Sequence, residues 1–252
     1  MRKTLFTSLA VIAALIVWAP TIPLPVAHAA NVFNTPDVQF MDDFLGTEFL
    51  QTESGSDGVW STVETNLNAA LAVVADAENG QLSMAMDSDS NAEVAALYWG
   101  DQRGIDLNQD ALFEARVQVS VLPTDVGELV IGMAGDHNAS ADSITEGAWF
   151  KLDGSGAALM ESDDTTNDND DIATGITLGT STWYTLRIDF SDISDVKFYI
   201  DSAQVSSGST FDMSNLSSAE AIMQPYISMA KASGTGVGTV LVDYVRVISR
   251  RE

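Results

Sequence analysis

Leu112-Phe113-Glu114-Ala115-Arg116-Val117-Gln118-Val119-Ser120-Val121-Leu122 alternates between apolar and polar residues. Phe113, Ala115, Val117, Val119 and Val121 fall on one side of an extended chain, and Glu114, Arg116, Gln118 and Ser120 on the other. One face is therefore core and the other wet, the pattern of a half-buried antiparallel strand.

The same period returns along the chain. Trp183 to Phe190 puts Tyr184, Leu186, Ile188 and Phe190 inward and leaves Trp183, Thr185, Arg187 and Asp189 outward. Clear strands are expected at 128–133, 148–153, 196–200, 226–230 and 239–248, with weaker ones at 38–40, 71–74, 81–86 and 94–99. No amphipathic helix exceeds about two turns; the best candidate, Ser214 to Met223, is a cap followed by one short turn. The segment Glu161 to Asp171, with six acids in eleven residues, reads as a loop, and Gly234 to Gly238 as a hairpin turn. So many strands cannot cover both faces as one flat sheet. The expectation is an all-β, two-sheet antiparallel jelly-roll sandwich.

Arg2 and Lys3 precede an apolar run from Leu5 to Ala19, and Ala27-His28-Ala29 offers small residues for cleavage. This reads as a signal peptide over residues 1–29, leaving one domain over 30–252 that is secreted or at the cell surface. With Arg2 and Lys3 gone, nine Lys and Arg face 36 Asp and Glu, a net charge of −27. That field excludes nucleic acid and anionic membrane as partners, and suits either life in salty water or a calcium-dependent role. No cysteine is present, so disulfides and thiol chemistry are excluded.

Several phrases together resemble the concanavalin A-like lectin and glucanase superfamily, including its laminin-G-like modules. They are Met41-Asp42-Asp43-Phe44, Asn79-Gly80-Gln81-Leu82, Phe113-Glu114-Ala115-Arg116-Val117, Trp183-Tyr184-Thr185-Leu186-Arg187-Ile188, Phe198-Tyr199-Ile200-Asp201 and Val242-Asp243-Tyr244-Val245-Arg246-Val247. Glucanases of this type carry Glu-x-Asp-x-Glu on one strand, two of the carboxylates serving as nucleophile and acid. The matching stretch here places Gly147, Trp149 and Lys151 at those positions, with Glu146 the one acid beside them. The resemblance therefore implies a non-catalytic member. A lyase arrangement of Tyr199, Arg116 and Arg187 on one face is the weaker enzymatic alternative. His137 lacks any partner in sequence and reads as an exposed loop residue.

The resemblance also implies a structural Ca²⁺, with Asp243 giving the carboxylate and Asp43 and Gly80 the carbonyls. An outward-facing Asp243 satisfied by water or a neighbour is the alternative. Asp87-x-Asp89-x-Asn91-x-Glu93 has the opening of a calcium loop, but Ala92 stands where the turn wants Gly. Arg116, Lys151 and Arg187, outward on their strands, suggest a polar face with Trp149 and Tyr199 as aromatic platforms. That face is either a glycan groove or a lattice of exposed ion pairs. The leading function is non-catalytic carbohydrate binding or adhesion, with a structural surface or virion-decoration protein second and a polysaccharide-degrading enzyme third. Oligomeric state is not legible.

Overall fold

The structure is a computed structural model that describes residues 37–46, 50–51, 59–67, 70–124 and 127–251; the expected signal peptide lies outside them. In chain order the strands are β1 (Val38–Asp42), β2 (Leu50–Gln51), β3 (Trp60–Thr65), β4 (Leu71–Val73), β5 (Leu82–Met86) and β6 (Glu93–Tyr98). They continue with β7 (Ile105–Asp106), β8 (Leu112–Val121), β9 (Gly127–Ala134), β10 (Glu146–Leu152), β11 (Ala157–Asp164) and β12 (Asp168–Thr177). The last are β13 (Trp183–Asp189), β14 (Lys197–Ile200), β15 (Ala203–Gln204), β16 (Ile222–Lys231) and β17 (Gly238–Ser249). One 3-10 turn, Ala141–Ser143, is the sole helical element among the described residues.

Eight strands form one sheet in the order β15-β14-β13-β8-β17-β5-β4, with β1 also pairing β17. Nine form the other, β12-β11-β10-β9-β16-β6-β3-β2, with β7 also pairing β16. All pairings are antiparallel except β2 with β3. The two sheets stack through inner faces that follow the period of two: Phe113, Ala115 and Val117 of β8 share one core with Ala148, Phe150 and Leu152 of β10. Phe150 meets Phe198 of β14 edge-on across that core at 5.2 Å. At the other end Phe40, Trp60 and Trp99 form a triangle, and the Trp60 indole N–H donates to Asp42.

Two expectations are corrected. The acidic stretch 161–171 is no loop: β11 and β12 form a hairpin, held by inward Ala158 and Met160 while the acids line its wet side. Its turn closes on the buried Asp164 carboxylate, which accepts from the backbone N–H of Thr166, Asn167 and Asn215. Burial would raise that carboxyl, but these bonds hold it below the usual range. Gly234 to Gly238 is not a hairpin either, because β16 and β17 lie in different sheets and the turn arches between them. The 214–223 segment makes one closed turn, Ala221 N–H to Ser217 C=O, with Ser217 and Glu220 bonding each other's backbone N–H.

Gly80 follows Asn79 in a left-handed turn (φ 73° and 64°) that presses on the end of β1. A Cβ at Gly80 would lie 2.2 Å from the Asp43 carbonyl oxygen, a backbone atom that cannot step aside. Gly80→Ala is expected to cost about 2 to 4 kcal/mol in urea unfolding, with Asn79→Gly near neutral.

Candidate functional site

Residues directly opposite one another on antiparallel strands share a face. The register therefore sets Glu161, Trp149, Gly132, Tyr226, Tyr98 and Ser61 in one row across the outer face of the nine-stranded sheet. Gly147 and Lys151 flank Trp149 on that face, as the sequence indicated, while Ala148, Phe150 and Leu152 point into the core. Gly132 is required here: a Cβ would sit 2.6 Å from the Cα and 2.7 Å from the Cβ of Trp149.

Lys151 is the centre of the row's acidic end. Its ammonium lies 2.7 Å from Glu161, 3.2 Å from Asp171, 3.4 Å from Asp142 and 3.9 Å from Glu128. The Trp149 indole N–H donates to the other Glu161 oxygen at 2.7 Å. Burial pushes the Glu161 carboxyl up to about 7 against the pull of these two donors. Burial alone would lower Lys151, but the hydrogen bond and charge of Glu161, then Asp171 and Asp142, hold it above the usual lysine range. Lys151, Glu161, Asp163, Asp168, Asp170 and Asp171 line a cavity of about 170 Å³ with Asp142 at its edge.

Residues 135–145 cross this face as a strap. Ala141 and Ile144 pack on Trp149, Val130 and Tyr226. On its far side lies a second cavity of about 440 Å³, lined by Ala92, Val94, Glu128, Asn138, Asp142 and Ala230 among others. Asp142 lies in both. His137 is not a free loop residue: its ring stacks on Tyr98 at 4.8 Å and its Nδ1 meets the Tyr226 hydroxyl at 2.9 Å. Burial lowers the pKa of its imidazole, against the pull of Asp101. Its backbone N–H donates to Asp101, which also accepts from Gln224.

The five expected ligand residues do not form one groove. Trp149 and Lys151 lie on the nine-stranded sheet; Arg116, Arg187 and Tyr199 lie on the outer face of the eight-stranded one. Alternation fixes which side of a sheet a residue takes, not which sheet its strand joins. Trp149, 3% exposed, is no stacking platform either, because the strap covers it. Arg187 stacks on Tyr199 at 4.1 Å and Arg116 on Trp183 at 4.8 Å, while the Arg187 Nε is buried with no hydrogen-bond partner. The lyase grouping does share this face, but with Arg116 and Arg187 so engaged. Sequence alone misses Glu161 beside Trp149, because the acidic residues of 161–171 disfavour a strand locally.

The implied calcium site fares unevenly. Gly80 and Asp43 meet, as the close approach at Gly80 shows, but Asp243 does not wait for a cation. A bulge in β17 after Val242 turns its carboxylate to Arg116 on β8, at 2.5 Å. With its carboxylate already held by a guanidinium, Asp243 is not free to serve as the anionic ligand of a divalent ion. Among the described residues no group of three or more acidic, His or Cys side chains is arranged to hold a metal.

Comparison with known proteins places the fold. The family described as "SO2946-like, C-terminal domain" matches residues 86–243. SO2946 of Shewanella oneidensis MR-1, a protein of unknown function, superposes with a TM-score of 0.55 at 15% identity, covering 85% of this chain and 87% of that one. A GH16 protein of a Bacteroides ovatus mixed-linkage glucan locus, in complex with a glucan product, gives 0.54 at 13% identity over 82% and 99%. A β-1,3-glucanase of Mycobacterium marinum gives 0.52 at 16% identity over 84% and 98%. The chain thus shares the two-sheet sandwich fold of these three proteins. No curated protein matches the chain.

Glu161 titrates near 4.5 when exposed and about 7 in the fold, so the folded state holds its proton more tightly. Its stabilising contribution is complete below about pH 4.5 and is lost as pH rises to about 7. Thermal scans should show a midpoint that falls from pH 5 to pH 7.5, with part of that slope removed by Glu161→Gln. On the other sheet, Arg116→Gln should cost about 1.5 to 3 kcal/mol by stranding Asp243, and EDTA should leave the wild-type midpoint where it is.

Proposed function

The chain belongs to the SO2946-like, C-terminal domain family, and from that premise we propose that it is an exported, non-catalytic carbohydrate-binding jelly-roll protein. Its binding surface is the outer face of the nine-stranded sheet, along the strap 135–145. The observation that carries this reading is the pair of cavities, about 170 and 440 Å³, that share Asp142 on this face. Their walls are rich in carboxylates, which only accept hydrogen bonds, beside the donors Lys151, Ser162, Asn138 and Ser140; sugar hydroxyls can donate to the former. The half-exposed Tyr98 and His137 pair offers ring faces beside them. In the Bacteroides ovatus relative the same fold holds a glucan, which supports the ligand class.

The strand facing the cavity supports the non-catalytic reading. Gly147, Trp149 and Lys151 stand where a two-carboxylate mechanism needs its acids. Glu161, the neighbouring acid with a raised pKa, has both oxygens engaged, one by the Trp149 indole N–H and one by the Lys151 ammonium. The same carboxylates disfavour uronic and sulfated chains, so the ligand is a neutral polysaccharide.

On immobilised polysaccharides the mature protein should be retained by at least one neutral glycan without releasing reducing ends. Asp142→Ala with Asp170→Ala should weaken that retention about 10- to 100-fold, the loss of one or two charged hydrogen bonds. Stable assembly with a protein shell and no glycan retention would instead favour a surface-decoration role, and released oligosaccharides an enzyme.

A further inference from the structure

The Asp87-x-Asp89-x-Asn91-x-Glu93 pattern finds its explanation at Lys231. This side chain, the last of β16, is fully buried, as is that of Glu93 at the start of β6. The ammonium donates to the backbone carbonyls of Asp87 at 2.7 Å, Asp89 at 2.9 Å and Gly236 at 2.9 Å. A lysine has three N–H donors, and these three acceptors use them all. The Glu93 carboxylate, 3.0 Å away, balances the charge. The loop is wound to present those carbonyls: Asp89 N–H bonds the Asp87 side chain, and Asn91 N–H bonds the Asp89 carbonyl.

Carbonyls from a short acidic loop and one carboxylate around the charge are the surroundings of a bound hard cation. We propose that residues 87–93 and 236 are a cation site permanently filled by the Lys231 ammonium, which would accept calcium once that ammonium is withdrawn. The tethered charge joins the β5–β6 and β16–β17 connections, both of which pass between the sheets. It thereby holds one end of the sandwich closed at any calcium concentration. An invading ion would have to displace a cation that cannot diffuse away, so the wild-type loop binds none.

Acetylation of the native protein followed by mass spectrometry should leave Lys231 unmodified while surface Lys197 reacts; a reactive Lys231 contradicts the cage. Lys231→Ala should lower the thermal midpoint in EDTA by roughly 10 °C, the effect of stranding a buried carboxylate. Calcium at about a hundred times its Kd should return roughly 5 to 10 °C of that, magnesium less, and Glu93→Gln in the same background should abolish the return. A Lys231→Ala protein equally unfolded with and without calcium, or folded and unmoved by it, overturns the proposal.

Discussion

Everything in this protein rests on the contact between the inner faces of its two sheets. With no cysteine in the chain, nothing covalent ties β8 to β10 or β17 to β16, and the apolar side chains between them must hold the layers together. That requirement fixes the period of two on strands such as β5, β8 and β14, while β6, β9, β10 and β16 bury both faces along much of their length. It also drives the polar groups outward or into compensated pairs, so that chemistry can occur only on the two outer faces and at the sandwich ends.

Those surfaces are governed by a shortage of positive charge. Arg116 is spent on Asp243, Lys151 on Glu161, Lys231 on Glu93, Lys197 on Asp195 and Arg103 on Asp136. Each pair fastens strands or loops distant in sequence or fixes a turn, and the charge left for a ligand is almost all carboxylate. A surface of acceptors in shallow cavities suits hydroxyl donors and repels anions. The cations thus act as internal fasteners, and most of the carboxylates face outward.

The strand of Leu112 to Val121 and its partners were legible because alternation is a local consequence of burying one face. Gly147, Trp149 and Lys151 were correctly placed on one outer face for the same reason. The β11–β12 hairpin was not legible, because Asp and Asn disfavour strands locally and only pairing with β10 overrides them. Sheet membership was hidden as well: Arg116 and Lys151 have the same alternation signature, and only long-range pairing sends them to opposite faces. Burial of Trp149 depends on a strap that no periodicity announces. The partner of Asp87 and Glu93 lies 138 residues beyond Glu93, at Lys231, out of reach of any motif.

The most direct test of the account is hydrogen exchange of the mature protein with and without a saturating neutral oligosaccharide taken from a glycan it retains. Protection concentrated at residues 138–144 and 161–171 is the predicted result. Protection at Trp183 to Tyr199, on the opposite sheet, would contradict it and move the binding surface to the arginine face.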